Sequence, residues 1–261
     1  QLAVGDNSWN RERVGYDPSK PVEVLEILAE DQNDVVRSSA ASRPSKPVDI
    51  LEKLAFDKNW NVRLWVAENS STPTVVLEKL AGDEDENVRR AVAENTSTPL
   101  GLLENLAMDE VDWVRSQVAK NINTTIALLE QLAEDGDSYV RSMVATNPNV
   151  PIQLLQQLVE DNSGDVRAFV ARNSVTPVEM LEILAEDQND GVRLGVVWNP
   201  QTPSEILEKL AVDEDETVRE SCLNKDPSAQ LKMLKKMAAD KNSGVRSSAA
   251  SRPSKPVDIL E

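Results

Sequence analysis

The stretch TPVEMLEILAEDQNDGVRLGVVWNP at residues 176–200 decides the fold, because its pattern returns every 26 residues along the chain. A self-similar period of this size marks a repeat array, which grows by stacking units around a continuous seam. One leucine per unit sets the register: Leu2, Leu28, Leu54, Leu80, Leu106, Leu132, Leu158, Leu184 and Leu210, with Met237 arriving one residue late. An arginine lies nine positions after each anchor, at Arg11, Arg37, Arg63, Arg89, Arg115, Arg141, Arg167, Arg193, Arg219 and Arg246. An aspartate lies three positions after each anchor from the second onward, at Asp31, Asp57, Asp83, Asp109, Asp135, Asp161, Asp187, Asp213 and Asp240.

Each unit reads as two helices. The first opens with Thr-Pro, as at Thr72-Pro73, Thr98-Pro99, Thr176-Pro177 and Thr202-Pro203, where threonine is expected to cap and proline to take the first helical position. Apolar residues at helical spacing follow, such as Val76, Leu77, Leu80 and Ala81. The second helix opens five places after the anchor, where Asn33, Asn59, Asp85, Asp137, Ser163, Asn189, Asp215 and Asn242 all suit an N-cap. Asn69, Asn95, Asn121, Asn147, Asn173 and Asn199 end it, and the sequence predicts the left-handed helix-closing conformation for this column. No unit alternates as a strand would, so a leucine-rich horseshoe with a parallel sheet is excluded.

Residues 72–95, TPTVVLEKLAGDEDENVRRAVAEN, carry an ordered set of marks: TP, an apolar pair ending in Leu77, LA, D, VR, VA and N. In this the chain resembles the leucine-rich-repeat-variant family, over almost its whole length. The resemblance implies an all-α, right-handed solenoid of about ten two-helix repeats without a β-sheet, with one helix of each pair of the tighter 3₁₀ type. It also implies a cytoplasmic setting. An iron–sulfur cluster held by cysteines outside the repeats occurs in the family; it does not carry over to a chain whose only cysteine is Cys222.

Composition narrows the function. A formal charge of −17, from 45 acidic and 28 basic residues, repels phosphate backbones and anionic membranes. Histidine is absent, which removes the commonest acid–base catalyst and metal ligand. The acidic loops at residues 83–86 and 213–216 lack the glycine and spacing of a calcium loop, and Cys222 falls at a core register. The reading is therefore a non-enzymatic scaffold without cofactor or metal, partnered by a protein or peptide. The alternative is a structural array or spacer that stacks head to tail, since the sequence begins and ends inside a repeat. Nucleic-acid binding ranks behind both.

On an α-helix the arginine register falls on the buried side, so the arginine column (Arg37 to Arg219) is read as pairing with the aspartate column (Asp31 to Asp213). An anion site along the arginines is the competing reading. Positions seven, eleven and fourteen after the anchor make the opposite stripe and hold seven of the nine aromatic residues: Trp9, Tyr16, Trp65, Trp113, Tyr139, Phe169 and Trp198. The same registers hold Asp165, Arg172, Lys120 and Glu94, so the stripe is expected to be solvated and is the candidate contact surface. Packing between neighbouring units is the competing reading.

Departures from the pattern mark the array. Thr125 stands where proline opens the first helix, and the unit at residues 220–236 has a one-residue insertion, a run of lysines and an expected kink. Residues 36–52 repeat identically at 245–261, which points to internal duplication or to design.

Overall fold

The computed structural model describes residues 7–17, 19–42, 47–222, 225, 234–235 and 237–250. Among these residues there is no strand. The chain divides into two compact units, Gln1–Glu134 with Asn147–Asn149, and Asp135–Thr146 with Val150–Glu261. Residues 224 and 226–229, near the insertion, and Lys232 and Lys236 of the lysine run lie outside the described residues.

In the first unit the second helices of successive repeats are α1 (Ser8–Tyr16), α3 (Asp34–Ser42), α5 (Trp60–Glu68), α7 (Glu86–Glu94) and α9 (Asp112–Lys120). They alternate with the shorter first helices α2 (Val22–Leu28), α4 (Val48–Leu54), α6 (Thr74–Leu80), α8 (Leu100–Leu106) and α10 (Ile126–Leu132). The second unit repeats the plan, with second helices α11 (Ser138–Thr146), α13 (Gly164–Arg172), α15 (Asp190–Trp198), α17 (Glu216–Cys222) and α18 (Ser243–Ala250). Its first helices are α12 (Ile152–Leu158), α14 (Val178–Leu184) and α16 (Ser204–Leu210). Within each unit, each second helix packs on the next, while each first helix packs mainly on the second helices beside it.

A seven-residue helix is too short to persist alone in water, so the first helices depend on burial. Leu25 and Leu28, Leu51 and Leu54, Leu77 and Leu80 supply it, each essentially inaccessible. Across the seam stand Val36, Val62, Val88, Val140 and Val166, all fully buried, with Ala41, Ala67, Ala93 and Ala145 behind them. Each leucine so enclosed contributes about 1.5–3 kcal/mol.

Three sequence expectations are corrected here. Both helices of each pair are α-helical among the described residues, and no 3₁₀ element stands between them. The tighter i→i+3 bonding appears at helix ends, as in the Asp31 amide donating to Leu28 C=O at 3.2 Å and Asp57 to Leu54 at 3.1 Å. Second, proline rather than threonine occupies the N-cap of the first helix, and the threonine faces backwards. Thr98 Oγ1 donates to Val92 C=O at 2.6 Å and Thr176 Oγ1 to Val170 C=O at 2.6 Å, closing the preceding helix. Only proline's absence restores the expected role among these units: Thr125 sits at the N-cap and accepts from the Leu128 amide at 3.4 Å.

Third, the helix-ending asparagines are extended, with φ −72° and ψ 118° at Asn69 and φ −65° and ψ 122° at Asn95. The extended backbone turns the side-chain amide towards the preceding repeat. Asn95 Nδ2 donates to Ala67 C=O at 2.6 Å and Asn69 C=O at 3.1 Å, and Asn121 repeats this to Ala93 and Asn95 at 2.7 and 3.1 Å. Oδ1 of Asn95 accepts from the Ser97 amide at 2.8 Å. The column is thus a buried ladder that satisfies backbone carbonyls from one repeat to the next. In the second unit Asn199 makes the same bonds to Ala171 and Asn173.

The expected caps of the second helix are in place. Asn59 accepts from the Asn61 amide, Asp85 from Asn87 and Asn189 from Val192. Ser163 is an N-cap without a side-chain bond.

Candidate recognition surface

Nine positions after each anchor, the arginine reaches out of its own repeat. Arg37 Nε and Nη2 donate to the two carboxylate oxygens of Asp57 at 2.5 and 2.9 Å, and Nη1 donates to Asp31 C=O at 2.8 Å. Arg63 treats Asp83 and the Asp57 carbonyl the same way, and Arg89 treats Asp109 and the Asp83 carbonyl. In the second unit Arg141 joins Asp161, Arg167 joins Asp187 and Arg193 joins Asp213. Arg11 pairs with Asp31 at 2.6 Å, and Arg115 Nη1 donates to Asp109 C=O at 2.8 Å. The carboxylate partner of Arg193 is therefore Asp213 of the following repeat, while Asp187 of its own repeat offers only its carbonyl.

The aspartate is engaged on both sides. Asp83 Oδ1 accepts from the Asp85 amide at 3.0 Å, fixing the loop that starts the second helix. Burial pushes the Asp83 carboxyl up, but the Arg63 guanidinium and the Asp85 amide together outweigh it and hold its pKa below the ordinary carboxylate value. The arginine pKa values move up for the complementary reason, led by the hydrogen bond from each to its aspartate. With the guanidinium so occupied, an anion site along this column is not what the geometry builds. Arg219 is the irregular member: its Nε lies 2.7 Å from Asp240 Oδ2 without an aligned hydrogen bond, and the pair spans 21 residues where the others span 20. The extra residue in this unit has shifted the partner.

The aromatic stripe divides in two. Registers seven and fourteen are open to solvent: Trp9 is 56% exposed, Trp113 56% and Trp198 51%, with Tyr16 and Tyr139 also exposed. Register eleven is not. Trp65 and Phe169 are half-buried, and Ser39, Gln117, Met143 and Gly195 at the same register are buried. The expectation of one solvated stripe fails there because a stacked helix has neighbours on two flanks, so its buried arc is wider than that of a surface helix. Position eleven meets the preceding second helix. A Cβ built on Gly195 would lie 2.8 Å from Ala168 O and 2.9 Å from Ala171 Cβ.

In the first unit Trp113 borders a groove of about 260 Å³ lined by Glu86, Asn87, Arg90 and Val111, between α7 and α9. Trp9 is covered on one side by the Arg13 guanidinium, 4.8 Å from the ring centroid. In the second unit Tyr139 and Trp198 occupy the corresponding outer positions of α11 and α15.

A family profile described as leucine rich repeat variant matches residues 190–215, which span α15, the Asn199 turn and α16. A solved leucine-rich repeat variant, described as having a novel repetitive structural motif, superposes with a TM-score of 0.56 at 27% identity, over 86% of this chain and 88% of that one. One repeat thus matches the variant model, and the fold is similar to that of the solved variant. An engineered protein aligns over 95% of both chains at 15% identity with a TM-score of only 0.37. Computationally designed armadillo repeat proteins for modular peptide recognition reach 13% identity and a TM-score of 0.18. No curated protein matches the sequence.

The repeats also present a column that the sequence reading missed. The first residue of the first helix is apolar and exposed at Val22, Val48, Leu100 and Ile126 in the first unit and at Ile152 and Val178 in the second. Four positions later stands Glu26, Glu52, Glu104, Glu130 and Glu182, or Gln156 after Ile152. The period was visible, but apolar residues in a short helix are read first as core.

Among the described residues no group of three or more Cys, Asp or Glu could hold a metal ion, and no helix is long and apolar enough to cross a membrane. Burial pushes the Cys222 thiol up to about 12, so it is not a nucleophile at neutral pH.

Proposed function

We propose that the repeats form a non-catalytic scaffold that binds a protein or peptide segment across the outer face of the second helices. The observation that carries this reading is Trp113, more than half exposed at the edge of a groove that also offers Glu86, Asn87 and Arg90. A large rigid ring beside polar groups of both charges is the composition of an interface anchor, and neither helix packing nor capping requires tryptophan there. Asn61 and Asn87 occupy the same register in α5 and α7, so the position tolerates polar residues without loss of the helix.

Peptide selection by display against the wild-type chain, followed by affinity measurement on Trp113→Ala and Trp198→Ala, tests the proposal. Selected peptides should lose at least tenfold in affinity on one of these variants while circular dichroism stays unchanged. Equal affinity for wild type and both variants refutes the second-helix face as the recognition surface.

A further inference from the structure

We propose a second docking surface, on the outward face of the first helices of the first unit, for a basic amphipathic polypeptide segment. It is separate from the second-helix face. Val22, Val48, Leu100 and Ile126 open α2, α4, α8 and α10 with 37–51% of their surface exposed. Glu26, Glu52, Glu104 and Glu130 follow by four residues, one turn along and on the same side, and Glu78 continues the column in α6. All five carboxylates are exposed.

Neither column serves the fold. Thr74 and Ser204 open α6 and α16 at the same position, and those helices keep the same seven-residue length. The apolar side chain is therefore not needed to start the helix, and more than a third of its surface stays in solvent. The glutamates sit in the last turn of each helix, the end where a negative charge opposes the backbone dipole. Helix stability would select against them there, yet they recur at five successive repeats. The nearby lysines are committed elsewhere. Lys53 Nζ lies 2.5 Å from Glu30, and Lys79 Nζ lies 3.7 Å above the Phe56 ring. Among the described residues, none of the five glutamates has a basic side chain within ion-pair distance.

Alternating apolar and acidic positions, repeated once per unit, complement a chain that alternates apolar and basic ones. Nucleic acid and anionic lipid are repelled by the same carboxylates, which leaves a lysine- or arginine-rich polypeptide as the occupant.

The probe is a fluorescein-labelled 18-residue peptide with one leucine face and one lysine face, read by anisotropy against the full chain. Glu52→Gln, Glu78→Gln and Glu104→Gln combined should weaken binding about tenfold, the product of three exposed ion pairs. Leu100→Ser with Ile126→Ser should weaken it similarly. The charge-matched set Glu68→Gln, Glu94→Gln and Asp165→Asn, exposed on the second helices, should leave the affinity unchanged, as should Trp113→Ala. Circular dichroism confirms that each variant is folded. Equal loss in the charge-matched set reduces the effect to net charge and overturns the proposal. So does an unchanged affinity in the first set. Loss confined to Trp113→Ala would put the peptide on the second-helix face, overturning this proposal while supporting the other.

Discussion

Replacing Arg141 by alanine removes one inter-repeat staple from the second unit. Nε and Nη2 of Arg141 hold the two oxygens of Asp161 at 2.7 and 2.9 Å, and Nη1 holds the carbonyls of Asp135 and Gly136 at 2.8 and 3.3 Å. Nη2 also reaches Asn162 Oδ1 at 3.3 Å, so all five guanidinium donors are used. Alanine leaves Asp161 in a site where its side chain is 9% exposed, with the Ser163 amide at 2.8 Å as remaining donor. Breaking a fully buried pair costs about 3–5 kcal/mol. Residual solvent contact and the surviving amide bond place this case near 3 kcal/mol. In a repeat protein such a loss acts on one interface, so stability should fall there before it falls elsewhere. Urea unfolding followed by circular dichroism should show a midpoint lowered by about 1 M, for a slope of about 3 kcal/mol per M. Hydrogen exchange should accelerate first at α11 and at the Asp161 loop. Arg141→Lys should lose most of the same stability, because an ammonium cannot span both carboxylate oxygens. A loss under about 1 kcal/mol, or a lysine variant equal to wild type, would refute the staple.

The asparagine ladder should respond in kind: Asn121→Ala strands the Ala93 and Asn95 carbonyls in a buried site and should cost about 2–4 kcal/mol, checked by the same unfolding measurement. Gly195→Ala should destabilise by about 1–3 kcal/mol, since its Cβ would meet Ala168 O and Ala171 Cβ, whereas Gly101→Ala, with nothing within 4 Å, should stabilise α8 by about 0.5 kcal/mol. A melting comparison that ranks the two alike would contradict the close approach of α13 and α15. Acid should act through the aspartate column. For Asp57, Asp109 and Asp187, burial raises the carboxyl pKa, but the paired arginine and a loop amide lower it further, so each folded-state value is depressed. Their stabilisation is fully present above the unfolded pKa of about 3.9 and is lost as pH falls through the lower folded values. Urea midpoints should therefore drop steeply below about pH 4, and equal midpoints at pH 5 and pH 3 would exclude the linkage.

Repetition is what made the architecture legible. Nine leucines at one spacing, with arginine and aspartate in fixed register, are enough to specify paired helices and a buried charge column, because burial at each position is tested again in every unit. What could not be read is the direction in which each polar side chain reaches. Spacing along the chain says that Arg193 lies six residues from Asp187; only stacking brings Asp213, 20 residues away, to its guanidinium. Thr98 and Asn95 suit caps when considered alone, yet the neighbouring helix and repeat present better acceptors, and both turn towards them. The aromatic registers divide for the same reason. A helical wheel assigns one inner face and one outer face, whereas a helix between two neighbours is covered on both flanks, so Trp65 and Phe169 are half-buried while Trp113 and Trp198 remain in solvent. The amino-acid pattern determines the repeat, its helices and its seam, all of which depend on local periodicity. The tertiary structure decides which residues each repeat lends to the next and which it leaves for a partner, because those depend on distances between segments that periodicity cannot express.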